Sequence, residues 1–314
     1  MENGTINVMT AGFSLAGFDL TPEGVYLTVV IGIIIYLFSV FCNLSLLVLI
    51  ATDKHLHEPM YLFLFNLSVN DLIGISAVIP RAIMDLVSIR RKITFPFCLI
   101  QAFCVHMYGG AALLILAVMA FDRYIAICHP LRYHTIISGN TVTKLIVFVW
   151  VFDFVLISTL FALLLRFPFC RTVLSNFYCE NSTLLLATCA EDTSVNNIYG
   201  LLITGFLHAI GIFSVVFTYG RILSTCLRSK ESESKTKALY TCATHLLAFL
   251  IYEFSSLIII LAYRFPQTPL NLRRFMGMSF VIFPPVLNPV IYGIKTKEIK
   301  NSLRRALKNT VCHF

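Results

Sequence analysis

Charge is scarce in this chain. Lys, Arg, Asp and Glu together make up 13% of its 314 residues, against roughly 25% in a soluble domain, too few to cover a water-facing surface. With 58% of the residues hydrophobic and a mean hydropathy of +0.82, a soluble globular protein is excluded. Low-complexity tracts and internal repeats are also missing, which excludes solenoids and leaves no paired broken helices of the inverted-repeat transporter kind. Lys and Arg are absent from residues 1–25, and no apolar stretch there precedes a small-residue cleavage site, so a cleaved signal peptide is not expected. The last apolar run, Phe275–Tyr292, contains no lysine, which excludes a Schiff-base photoprotein. No nucleophile and base stand at a recognisable spacing, so the chain is not read as an enzyme, and no cofactor or metal centre is expected beyond one candidate cation below.

What the chain has instead is length in apolar runs. They recur at Tyr26–Ala51, Pro59–Ile79, Phe97–Ile125, Thr141–Leu165, Asn197–Leu223, Ala238–Ala262 and Phe275–Tyr292, each near the ~20 residues that a helix needs to cross a bilayer. The expected fold is an all-α membrane protein, a bundle of seven transmembrane helices. The chain then divides into an extracellular N-terminus (1–25), a seven-span helical domain (26–293) and a tail (294–314). Placing the N-terminus outside puts the larger share of the 24 Lys and Arg on the inner loops and tail, which orients the chain N-out and C-in at the plasma membrane. The formal net charge of +8 is accordingly assigned to headgroup contact and not to nucleic acid. In the tail, Ile299, Leu303 and Leu307 share one face of a helix whose other faces carry Lys297, Lys300, Arg304, Arg305 and Lys308, a short amphipathic eighth helix on the inner leaflet. Cys312 beyond it is a candidate for lipidation. The Asn3-Gly4-Thr5 sequon becomes a glycosylation site if the N-terminus is translocated; a second sequon begins at Asn181, beside Cys179.

In this orientation Cys98, Cys170, Cys179 and Cys189 lie on the oxidising side, and four cysteines permit three pairings. One of these ties the loop Phe167–Asn196 to Cys98 at the outer end of the third span, forming a lid over a cavity.

Polar side chains within the spans carry the functional argument, since each is expensive to place in lipid. Asn43, Asp71 and Asn288 fall in the first, second and seventh spans, and their convergence would hold a water cluster or a sodium ion near Asp71. Pro284, Pro285 and Pro289 are expected to break the seventh helix and free carbonyls beside Asn288. Asp153 sits mid-span near Trp150, the single tryptophan, in a hydrogen-bonded structural role. Glu253 lies about two-thirds of the way up the sixth span. His106 should reach a similar depth, with Gly109 and Gly110 a turn deeper, where missing side chains make room for a ligand. Where the third apolar run ends, Asp122 adjoins Arg123 and Tyr124 in the stretch Met119–Tyr133, an ion pair placed to act as a lock that opens when helices move.

The segments PMYLFLFNLSVNDL (Pro59–Leu72), MAFDRYIAICHPLRY (Met119–Tyr133), KALYTCATHL (Lys237–Leu246) and PPVLNPVIYGIKTKEI (Pro284–Ile299) resemble the signatures of vertebrate olfactory receptors, a subfamily of the rhodopsin-like G protein-coupled receptors. Asn43, Asp71, Trp150, Asn288, Pro289 and Tyr292 match the wider superfamily. Arg264 followed by Phe265 is similar to the fish-like class I branch, whose ligands tend to be water-soluble acids. Departures include Phe121, Leu239, Tyr240, Cys42 and Glu180, and Glu253 is unusual for the family. The resemblance implies that Arg123 leaves Asp122 on activation to meet a stimulatory, olfactory-type heterotrimeric G protein, that Tyr219 and Tyr292 rearrange beneath it, and that Asp71 serves a sodium-linked network with Asn43. It further implies the disulfides Cys98–Cys179 and Cys170–Cys189. The expected small-molecule odorant site is lined by His106, Gly109, Gly110, Thr204, His208, Glu253 and Ser256, with Arg264 at its mouth. Here a carboxylate ligand at Arg264 is preferred to an amine at Glu253. The competing readings are a non-olfactory small-molecule receptor and, from the buried acids, a channel or transporter.

Overall fold

The computed structural model describes residues 12–18, 20–88, 90–228, 232–265 and 267–311, so Asn3 and Cys312 lie outside the described residues. Seven of its helices are long and apolar enough to cross a membrane. They are α1 (Pro22–Thr52), α2 (Pro59–Val87), α3 (Phe95–Cys128), α4 (Gly139–Leu164), α5 (Ser194–Arg228), α6 (Ser232–Arg264) and α7 (Leu270–Lys295), followed by α8 (Lys297–Val311). A short strand β1 (Phe13–Leu15) precedes α1, while β2 (Lys92–Ile93) and β3 (Val173–Leu174) lie in loops.

Helix starts follow local chemistry. Thr21 Oγ1 accepts the Gly24 amide at 3.2 Å, and Pro22 occupies a position that needs no amide hydrogen, so α1 begins before the apolar run at Tyr26 does. Ser138 caps α4 the same way through the Thr141 amide.

Helix α3 is the hub, packed on α2, α4, α5 and α6, while α7 packs on α1, α2 and α6. The main core therefore runs along α3 through Tyr108, Ile115, Leu116 and Met119, all buried. Large apolar side chains such as Phe41, Phe213 and Phe254 face outward, as suits lipid and not water.

The expected break in α7 does not occur. The helix continues through Pro284, Pro285 and Pro289, because neighbouring side chains take up carbonyls that proline leaves without an amide partner. Pro289 would free the Pro285 oxygen, and Ser39 Oγ and Asn43 Nδ2 donate to it at 2.9 and 2.8 Å. Pro284 would free the Phe280 oxygen, and Tyr108 donates to that one at 3.2 Å.

Hydropathy also passes over the small sheet. β1 pairs antiparallel with β2 (Phe13 opposite Ile93) and parallel with β3 (Ser14 opposite Val173). Arg274 of α7 donates to the Gly17 carbonyl at 2.5 Å, holding the N-terminal segment at that end of the bundle.

At the other end, α8 turns Ile299 inward while Leu303 is exposed and the side chain of Leu307 is outside the described residues. Arg305 reaches Asp53 at 2.6 Å. The Ser302 and Arg305 side chains hold the Asp53 carboxyl well below the usual carboxylate range.

Candidate functional site

A cavity of about 480 Å³ opens between α3, α4, α5, α6 and α7 beneath the loop after α4, within the range of small-molecule sites. The loop is fastened twice, by Cys98–Cys179 and Cys170–Cys189, each with a Cα separation of 5.4 Å. Gln101 Oε1 accepts the Cys179 amide at 2.8 Å, adding a third tie to α3. Asn181 is buried and its side-chain nitrogen, the atom a glycan would use, donates to Asn196 at 3.0 Å.

His106, Gly109, Gly110, Thr204, His208 and Ser256 all line the cavity. Glu253 does not. It is buried behind His208, with Oε1 2.8 Å from His208 Nδ1, so its link to the cavity runs through the imidazole. Arg264 closes α6, and its side chain lies outside the described residues. Residues missed from sequence include Tyr178 and Glu180, which flank Cys179, and Tyr252 and Arg273. The first two are discoverable, since pairing Cys179 to α3 pulls its neighbours over the bundle; Arg273 precedes the last apolar run and carries no sequence signal that points into a cavity.

The glycines serve different ends. A Cβ on Gly109 would make ordinary contacts of 3.7 Å with Phe280 and the Tyr252 hydroxyl. A Cβ on Gly110 would collide with the Asp153 carboxylate, so its missing side chain makes room for α4 while the residue still lines the cavity. Asp153 is correspondingly packed on Gly110, whereas Trp150 donates instead to Asn66 at 2.9 Å. Asp153 and Trp150 therefore do not pair: the Asp153 carboxylate is buried against the α3 backbone at Ala111, with no side-chain donor among the described residues.

Most hydroxyls around the cavity are already committed as donors. Thr204 donates to the Gly200 carbonyl at 2.7 Å, Ser256 to the Glu253 carbonyl at 3.0 Å and Tyr252 to the Gly109 carbonyl at 2.5 Å. His106 Nδ1 is 2.8 Å from the Ala102 carbonyl, an acceptor, so that nitrogen carries the hydrogen.

At the far end of α3, Arg123 Nε and Nη2 lie 2.9 and 2.5 Å from Asp122 Oδ2. Tyr133 donates to the other oxygen, Oδ1, at 2.7 Å. Tyr124 meets His129 Nε2 at 3.2 Å and packs on Phe217 of α5. Tyr219 of α5 lies 2.7 Å from His245 Nδ1, and the other nitrogen of His245 is 3.1 Å from the Leu116 carbonyl, so one imidazole joins α5, α6 and α3.

Between the two ends, Asn288 donates to Asp71 Oδ2 at 2.9 Å. Asn43 does not join them directly, since its amide is spent on the Ser39 and Pro285 carbonyls. Asp71 Oδ1, Asn288 Oδ1 and the Tyr292 hydroxyl are buried with no hydrogen-bond partner among the described residues.

The residues 33–310 match the profile of the family described as olfactory receptor. Human olfactory receptor 52D1 is 39% identical over 278 residues, covering 87% of this chain and 86% of that one. Human olfactory receptor 5AN1 is 33% identical over 303 residues, 96% of each chain. Among solved structures, the crystal structure of squid rhodopsin superposes with a TM-score of 0.72 at 16% identity, covering 95% of this chain and 91% of that one.

Proposed function

The chain belongs to the olfactory receptor family, and from that premise we propose that its cavity binds a small odorant and that the Asp122–Arg123 end passes the signal to a stimulatory, olfactory-type G protein, raising cAMP. Membership makes it a multi-pass membrane receptor and not an enzyme, with a small-molecule ligand and a G protein as its partners.

The observation that carries the proposal is the division of polar chemistry between the two ends of α3. At one end a disulfide-fastened loop roofs a cavity of about 480 Å³. At the other, Arg123 is held by a carboxylate that its own neighbour supplies, an arrangement opened at small cost when a partner offers new contacts. The cavity end faces outside and the Arg123 end and α8 face the cytoplasm, in keeping with the basic residues of α8 and the loops. Asp71, with its unpartnered Oδ1 next to Asn288, fits a sodium ion completed by neutral oxygens, Asn43 helping to fix α7 alongside. There the ion would stabilise one arrangement of α2 and α7.

The test is expression in a cell that carries an olfactory-type G protein, with cAMP read against a panel of volatile small molecules. Ligand-dependent cAMP without ion flux is the expected result. Arg123→Ala should remove it at unchanged surface level, and full signalling by a surface-expressed Arg123→Ala receptor would overturn the role given to that end.

A further inference from the structure

The hydrogen-bond inventory of the cavity points to a ligand class, on the premise that this cavity is the odorant site. Thr204 and Ser256 spend their hydroxyl hydrogens on backbone carbonyls, so each turns only lone pairs to the cavity. His106, with Nδ1–H committed to Ala102, presents Nε2 as an acceptor. His208 lines the cavity while its Nδ1 faces Glu253 Oε1 at 2.8 Å, and a carboxylate there requires Nδ1 to carry the hydrogen. The polar atom His208 has left for the cavity is again Nε2, an acceptor. The inner wall thus offers acceptors on α3, α5 and α6 and calls for a donor.

Charge sets the sign. Glu180 and Arg273, which both line the cavity, offset one another in charge. Glu253 is buried, and its Oε2 has no hydrogen-bond partner among the described residues. Arg264 is about 16 Å from it along α6 at ~1.5 Å per residue. A carboxylate ligand at His208 would need the imidazole protonated, and the trio would carry one net negative charge in a poorly solvated site. An ammonium donating to Nε2, backed by Nδ1–H and Glu253, leaves no net charge.

We propose that the cavity selects a compact primary amine, bound as its ammonium ion, with His208 Nε2 as its acceptor and Glu253 as the counter-charge behind the ring. No proton changes hands in this arrangement; the imidazole relays the field of the carboxylate. Glu253 is a positioning residue acting through His208, which explains why a side chain outside the cavity wall decides the ligand.

Purified receptor in lipid nanodiscs provides the test, with thermal unfolding followed against pentylamine, pentanol and pentanoate. Pentylamine should stabilise at a concentration at least about tenfold below that of pentanol, as expected for a charge-assisted hydrogen bond over a neutral one, and pentanoate should not stabilise. Glu253→Gln should abolish the preference for the amine while leaving the response to pentanol. Equal or better stabilisation by pentanol or pentanoate in the wild type overturns the proposal, and that ranking decides even if the variant fails to fold. The receptor reading is scored separately by cAMP. Cells answering pentanol or pentanoate but not pentylamine overturn the amine assignment and leave a receptor; pentylamine binding with no G protein response to any ligand upholds the assignment and removes the signalling role.

Discussion

Asn43 donates to the Pro285 carbonyl at 2.8 Å, the very oxygen that Pro289, lacking an amide hydrogen, leaves unbonded in α7. Ser39 donates to the same oxygen at 2.9 Å. Asn43→Ala and Ser39→Ala should each cost about 1 kcal/mol, because the other donor remains, while the double variant should exceed the sum by leaving a carbonyl orphaned in a buried site. Thermal midpoints of the purified single and double variants make the comparison; strict additivity would show that the carbonyl does not depend on this pair.

Tyr133 holds Asp122 Oδ1 at 2.7 Å while Arg123 holds Oδ2. Tyr133→Phe takes away one anchor of the carboxylate and should loosen the pair by about 1 kcal/mol, a rise in ligand-free signalling of roughly fivefold at most. Basal cAMP at matched surface expression reads this, and an unchanged baseline would remove Tyr133 from the lock.

The two disulfides should not be equally important. Cys98–Cys179 closes a separation of 81 residues and Cys170–Cys189 one of 19, so in the loop-entropy account losing the first costs about 1 kcal/mol more. Cys98→Ser should reduce surface receptor more than Cys170→Ser. Flow cytometry on a tagged receptor measures it, and the reverse order would show that the loop is secured chiefly within itself.

Asp53 links α8 to the end of α1 through Arg305 and Ser302. Because its folded carboxyl titrates below the unfolded one, the stabilisation is fully present above the usual carboxylate range and is lost only as pH falls through the depressed value. Docking of α8 should therefore be constant around neutral pH, and Asp53→Asn should loosen it there. Hydrogen exchange of the α8 amides should be faster in Asp53→Asn at neutral pH, with wild-type protection flat across that range; equal exchange rates in both proteins would deny the link any role.

How much of this was legible beforehand depends on the kind of feature. All seven spanning helices were visible as apolar runs, because lipid demands about 20 apolar residues in a row whatever lies beside them. The helix ends were less so: α1 starts at Pro22, ahead of its run, since the Thr21 cap and not hydropathy sets it. The Asp122–Arg123 pair could be found because its partners are adjacent in sequence. Both disulfide pairings came through family resemblance, as four cysteines alone left three options.

Segment composition, then, was enough to determine the seven spans, the polar end at Arg123 and the basic amphipathic α8, since all of these are sums or positions along one helix. Position along a helix is not direction. Glu253 lies behind the cavity wall and not on it, because its facing depends on how α6 is rotated against α5, where His208 claims its carboxylate. Gly110 lines the cavity as its position suggests, but what its missing side chain admits is Asp153 of α4. The α7 prolines were read as a break, yet Ser39, Asn43 and Tyr108 arrive from α1 and α3 to take carbonyls that proline frees. In each case the deciding contact joins segments far apart in the chain, and helix rotation and packing, which no single segment encodes, bring them within hydrogen-bonding distance.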